Sequence, residues 1–194
     1  MDMMSQTTDA GRWTRAEEVA GHLQEVERAA FEAILREQQQ WVGGLVYRLI
    51  GWSGEVEDVV QEVFLSAYES WGRYRGDGSV RSWLGAIAVN KCRRYHRRTA
   101  VRLKFLKRTK EEAAERYGDG PEIGLMDRER LEQVQKAMTK LRPRDREVLV
   151  LRYLEEMDIS RIAEILAAPA NVVNVRLTRA RQRLRAQIEK RTKE

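Results

Sequence analysis

Apolar residues recur along the chain at helical spacing, and no stretch alternates with period two for long enough to suggest a strand. The pattern predicts an all-α protein. Trp41, Val42, Leu45, Val46 and Leu49 form a first stripe, interrupted by Gly43 and Gly44. Each glycine costs about 1 kcal/mol of helix propensity relative to Ala, so close helix packing is expected there. After the break Gly51-Trp52-Ser53-Gly54, with Ser53 placed as an N-cap, Val56, Val59, Val60, Val63, Phe64, Ala67 and Trp71 predict an amphipathic helix over 54–71. Gly72, Gly76 and Gly78 make the following segment a loop, and a third helix runs from about Val80 to Arg98. The mixed stretch 99–127, with Gly118, Gly120, Pro121 and Gly124, reads as a linker.

Beyond the linker, Leu131, Val134, Met138 and Leu141 mark a helix that stops near Arg142-Pro143, and Val148, Leu149, Leu151 and Leu154 mark another. A short helix containing Ile162, Ala163, Ile165 and Leu166 follows. It is joined by Ala167-Ala168-Pro169-Ala170 to a long basic helix with Val173, Leu177, Ala180 and Leu184 on its apolar side. A short helix, a turn of about four residues and a long arginine-rich helix suit a helix-turn-helix, whose second helix enters the major groove of DNA.

Charge sharpens this picture because it comes in blocks. The 194 residues carry a net +6, but residues 1–90 hold 8 basic and 14 acidic side chains, 91–110 hold 10 and 0, 111–170 hold 10 and 14, and 171–194 hold 8 and 2. Two cationic blocks separated by acidic ones suggest two polyanion contacts, since clustered Lys and Arg displace phosphate counterions together. Composition excludes other classes. The single Cys92 rules out an intramolecular disulfide framework and a cysteine-based zinc site. The apolar run Trp41–Trp52 is broken by Arg48 and falls short of the ~20 residues of a membrane span, and the start resembles neither a signal nor a transit peptide, so a cytoplasmic protein without membrane insertion is expected.

The helix faces supply the candidate chemistry. Around 54–71, Asp58, Gln61, Glu62, Leu65 and Glu69 lie opposite the valine stripe, an acidic surface around a leucine that fits a protein partner or a solvated helix back. On the third helix, Asn90, Arg93, Arg94 and Arg97 share a surface with Trp83, just after a loop containing Arg73, Tyr74, Arg75 and Asp77. Cations that follow a backbone beside flat groups that stack on bases are what single-stranded nucleic acid needs. In the last helix Asn171, Val175, Thr178 and Gln182 point away from the apolar stripe, flanked by Arg176, Arg179, Arg183 and Arg185. Small groups there can read base edges while arginines hold phosphates.

Asp58-Val59-Val60-Gln61-Glu62-Val63-Phe64-Leu65, Arg73-Tyr74-Arg75-Gly76-Asp77 and Ser82-Trp83-Leu84-Gly85-Ala86-Ile87-Ala88-Val89-Asn90 together resemble the promoter-melting domain of the bacterial extracytoplasmic-function sigma factors. Leu141 to Leu154, Ile162 to Leu166 and Val175 to Arg181 are similar to the family's second DNA-binding domain. The resemblance implies two small helical domains joined by a flexible linker: an N-terminal extension 1–26, a melting domain 27–98, the linker 99–127 and a helix-turn-helix domain 128–190. It also implies core RNA polymerase and promoter DNA as partners and leaves open an anti-sigma factor. Asp58, Gln61, Glu62 and Leu65 would face polymerase. Arg73, Arg75, Gly76, Asp77, Ser79, Trp83, Asn90, Arg93, Arg94 and Arg97 would open the −10 element and hold its non-template single strand. Asn171, Asn174, Val175, Arg176, Thr178, Arg179 and Arg183 would contact the −35 duplex. Polymerase performs the chemistry, so no catalytic residue, metal or cofactor is expected.

The chain departs from the family pattern where Ala167 replaces a usual glycine in the helix-turn-helix connection, where Asn174 holds a position often given to Lys or Arg, and where Arg161 precludes a capping box with Asp158. Two other classes compete. A helix-turn-helix regulator that is not a polymerase subunit needs no single-strand surface. An enzyme would have to use Glu18, His22 and Glu25 as a metal site, with His96 the only other histidine.

Overall fold

Seven α-helices, a 3-10 turn and a π-helical turn make up the secondary structure of the computed structural model among the described residues, with no strand. The model describes the backbone of residues 10–51, 55–74, 76, 79–105 and 125–192, and within these the side chains at 26, 28–102 and 131–190. Ser53, Arg75, Asp77, the side chains of Glu18, His22 and Glu25, and the linker glycines lie outside these residues. The helices are α1 (Ala10–Ile50), α2 (Val56–Ser70), α3 (Val80–Phe105), α4 (Leu125–Thr139), α5 (Pro143–Leu149), α6 (Ile159–Leu166) and α7 (Ala170–Thr192). The chain divides into two compact units, Met1–Gln39 and Gln40–Glu194. The first holds most of α1, with Phe31 and Gln38 buried and an Arg28–Glu32 pair one turn apart at 3.2 Å.

The core of the second unit follows from the apolar stripes. Val42, Leu45, Val46 and Leu49 of α1 are buried, as are Val56, Val59, Val63 and Ala67 of α2, and Leu84, Ala88, Val89 and Cys92 of α3. Each fully buried Leu or Val contributes roughly 1.5–3 kcal/mol relative to exposure. Burial also pushes the Cys92 thiol up to about 12, so it behaves as a small apolar side chain. The α2 helix begins after Glu55, which stands at the N-cap position without a side-chain cap bond; Glu57 and Asp58 meet the positive end of the helix dipole. A short 3-10 turn, Trp71–Arg73, ends α2, and Trp71 is half-buried rather than core.

Two expectations are corrected. The third helix does not stop at Arg98 but continues to Phe105. Gly44 does not admit a neighbouring helix: a Cβ there would stand 3.0 Å from the Arg48 guanidinium, which folds back over it. The second basic region has its own core of Met138, Leu141, Val148, Leu149, Leu151, Ile162, Ile165, Leu166, Val173, Leu177 and Ala180, whereas Leu131, Val134 and Leu154 of the expected stripes are exposed. Leu154 is exposed because the chain leaves α5 through a π-helical turn, Val150–Leu154, in which the amide of Glu155 donates to the carbonyl of Val150 at 3.0 Å. Within this unit α3 packs against α2, α5 and α6, and α7 packs against α4, α5 and α6.

Candidate nucleic-acid and polymerase interfaces

Three surfaces carry the residues singled out above. The first is a groove of about 780 Å3 between α2 and α3, lined by Asp58, Gln61, Glu62 and Leu65 on one wall and by Lys91, Tyr95, Arg98 and Arg102 on the other. Leu65 is 60% exposed, and Tyr68, one turn on, is 55% exposed and extends the apolar ridge. The sequence reading missed Tyr68; its i+3 spacing from Leu65 was the available signal. The wall is less acidic than the helix projection suggests. Arg98 donates to Glu62 at 2.8 Å, and with Lys91 at 3.9 Å it holds the Glu62 carboxyl below its ordinary range despite partial burial.

The second surface is built by the 3-10 turn and the start of α3. Trp71, Tyr74 and Trp83 form a cluster with ring centroids 5.0–5.8 Å apart, Trp71 and Tyr74 stacked and Trp83 tilted against both. Gly76, with φ of 74°, reverses the chain in a conformation that a side chain would disfavour. Ser79 accepts at its carbonyl from the amides of Ser82 and Trp83, starting α3; Arg73 is exposed in the 3-10 turn, and Asn90, Arg94 and Arg97 are exposed further along α3. Arg93 behaves differently. Its guanidinium donates to both oxygens of Glu147 on α5, at 2.8 to 3.2 Å, and Arg161 of α6 donates to the Ser79 hydroxyl.

The third surface is the α6–α7 pair. Asp158 caps α6 by accepting from the Arg161 amide at 2.7 Å, and Ala167 ends the helix in the left-handed conformation at φ 48°, ψ 51°. That conformation turns the chain sharply enough for Pro169 and Ala170 to start α7. Asn171, Asn174, Val175, Thr178 and Arg179 are exposed on α7, and Arg176 is partly covered. The Thr178 hydroxyl donates to the Asn174 carbonyl at 3.1 Å. Arg183 turns inward to Asp145, donating to both carboxylate oxygens at 2.7 Å.

Comparison with known proteins follows the same division. Residues 34–102 match the family model for Sigma-70 region 2, and residues 131–184 match that for Sigma-70, region 4. The ECF RNA polymerase sigma-E factor of Escherichia coli K12 is 33% identical over 167 residues, covering 82% of this chain and 87% of the relative. This chain belongs to the extracytoplasmic-function sigma factors. The RNA polymerase sigma-H factor of Pseudomonas aeruginosa is 28% identical over 173 residues, 86% of this chain and 90% of that one. Among solved structures, the sigma factor RpoE in complex with the anti-sigma factor NepR from Bartonella quintana shares the fold, with a TM-score of 0.64 and 19% identity over 81% of this chain and 98% of that one. As an alternative sigma factor the chain binds core RNA polymerase and directs promoter-specific initiation. No described helix is long and apolar enough to cross a membrane.

Proposed function

We propose that the three surfaces divide the work of a sigma factor. The α2 face, with Asp58, Gln61 and Leu65 and the neighbouring Tyr68, docks on core polymerase: an exposed apolar ridge with a charged rim is the composition of a protein interface. The aromatic cluster with Asn90, Arg94 and Arg97 receives the non-template strand of the −10 element as its bases unstack. Asn171, Asn174, Val175 and Thr178 read the −35 duplex while Arg176 and Arg179 hold phosphates. The domains implied by sequence, 27–98 and 128–190 with a linker between, are the units that carry these tasks. The chain works in the cytoplasm, without a catalytic residue, because polymerase performs the phosphoryl transfer. An anti-sigma factor, such as the one the Bartonella quintana protein is held by, is a fitting further partner.

The observation that carries this reading is the coexistence of an aromatic cluster of Trp71, Tyr74 and Trp83 with the α6–turn–α7 pair on one chain. A regulator that binds duplex alone has no use for the first. Run-off transcription with core polymerase on genomic promoter fragments tests it: transcripts that appear only when the protein is added are expected. Promoter binding that needs no polymerase, with no transcripts gained, supports the regulator reading instead.

A further inference from the structure

The two cationic blocks of the sequence meet at one place. A cleft of about 530 Å3 opens between the second half of α3, the start of α5 and α7, and its lining holds seven arginines against two carboxylates. Both carboxylates are already taken. Asp145 accepts from Arg183 at 2.7 Å on each oxygen, and Glu147 accepts from Arg93 at 2.8 to 3.2 Å. The other arginines are Arg97 of α3, Arg142 and Arg144 at the start of α5, and Arg176 and Arg179 of α7. They have no hydrogen-bond or ion-pair partner among the described residues. Like charges gathered around a cavity repel, and low-dielectric walls focus their potential into it instead of spreading it over a solvated face. A ligand that brings several negative groups at once relieves that repulsion, and guanidinium forks meet phosphate oxygens two at a time. The rest of the lining says what such a ligand lacks. Ala100 and Pro143 offer little apolar surface, no Phe, Tyr or Trp is present, and the one ring, His96, is tied at Nε2 to the Leu49 carbonyl at 3.1 Å. Nothing there stacks on a base or buries a hydrocarbon chain.

We propose that this cleft binds a free linear phosphate chain of about three or more units, held by Arg97, Arg142, Arg144, Arg176 and Arg179, and that the bound chain competes with duplex DNA. The competition rests on the role given above to Arg176 and Arg179; the site itself does not. A duplex is a thick convex rod that can follow α7 from outside. A bare chain is thin enough to enter the cleft and reach α3, α5 and α7 together. Asp145 and Glu147 face the same cleft yet leave it cationic, because each is spent on one arginine.

The test is isothermal titration calorimetry of the full chain in magnesium-free chloride buffer at about 0.15 M ionic strength, where distant surface charges are screened. The probes are sodium tripolyphosphate, orthophosphate and ATP. Tripolyphosphate is expected to bind one to one and saturably, orthophosphate on the order of tenfold more weakly, and ATP, with as many phosphates, no more tightly than tripolyphosphate. Arg142→Gln with Arg144→Gln removes two cations that no DNA role above uses. The start of α5 does not need them, since the Arg142 backbone carbonyl accepts from the Asp145 and Arg146 amides without a side-chain cap. This pair is expected to weaken tripolyphosphate on the order of tenfold. Ala100→Glu sets a carboxylate at an exposed lining position of α3 and is expected to do the same, which keeps the test independent of α5. Arg181→Gln with Lys190→Gln takes the same charge from α7 outside the cleft and is expected to change nothing. Equal losses in the two double variants, or uptake without saturation, overturns the site, and ATP bound on the order of tenfold more tightly than tripolyphosphate overturns the free chain as its ligand. Saturating tripolyphosphate at constant ionic strength is expected to weaken parental binding of a random-sequence duplex, read by fluorescence anisotropy. Calorimetric binding with unmoved duplex affinity keeps the site, overturns the competition and removes Arg176 and Arg179 from duplex contact, so the two readings fail separately.

Discussion

Ala167 is the residue at which sequence and backbone conflict most directly. A left-handed conformation costs an L-residue roughly 1–2 kcal/mol, and glycine adopts it freely. Ala167→Gly is therefore expected to raise stability by about 1 kcal/mol, seen as a higher urea midpoint at unchanged slope, with duplex affinity preserved. The departure from the family's glycine was legible in the sequence, and the structure shows Ala167 in the left-handed conformation that a glycine adopts freely. His96 is a second case. Its Nε2 lies 3.1 Å from the Leu49 carbonyl, and since a carbonyl only accepts, that nitrogen carries the proton. Burial lowers its pKa, with the nearby Arg146 acting in the same direction; the carbonyl bond and Glu147 oppose them. The unfolded chain then binds more protons than the folded one once pH falls below the ordinary value of about 6.5. Stability should be full above that pH and decline as pH falls toward the depressed folded value. Chemical denaturation at a series of pH values should show this decline in the parent and a weaker one in His96→Gln.

Among the elements, α7 separates holding from packing in a way that helical projection alone does not. Arg179 and Arg183 are four residues apart and both lie near the exposed face, yet Arg183 is engaged by Asp145 of α5 while Arg179 has no ion-pair partner among the described residues. Arg179→Ala should reduce the salt slope of duplex binding by about one unit and leave the melting temperature unchanged. Arg183→Ala should lower the melting temperature, with less effect on the slope. The helices themselves were readable because Val56, Val59, Val63 and Ala67, or Ile162, Ile165 and Leu166, repeat with a period that only a helix satisfies. What could not be read was set by contacts distant in sequence. Arg93 shares the basic surface of α3 by its spacing, but its partner Glu147 is 54 residues away, and nothing local distinguishes it from Arg94. Likewise the glycine pair in α1 reads as a packing site, although at Gly44 the space is taken by Arg48 from the same helix.

For the whole molecule, the decisive interaction is with polymerase. Asp58 and Leu65 are exposed and make no core contact, so Asp58→Arg with Leu65→Ala should fold normally by circular dichroism. Its co-purification with core polymerase should nevertheless be lost, along with transcription; retention of both would remove α2 from the interface. The sigma-factor family was legible from the motifs of α2, α3 and α7. The packing of α3 against α5 and α6 was not, because the pattern of one helix face carries no information about which other face will cover it.

The π-helical turn at Val150–Leu154 carries a consequence for chain length. Closing a turn over five residues instead of four means that the segment contains one residue more than an α-helix of the same rise would need. Deleting Tyr153, whose side chain is half exposed, would let the turn tighten to an ordinary α-helical one while rotating everything after it by about 100° around the axis. Glu155 would then swing away from Trp41 and Arg48 even though its own codon was untouched. The extra residue works as a spacer that sets where the Glu155 carboxylate lands, so insertions and deletions here, rather than substitutions, are the changes that would move it.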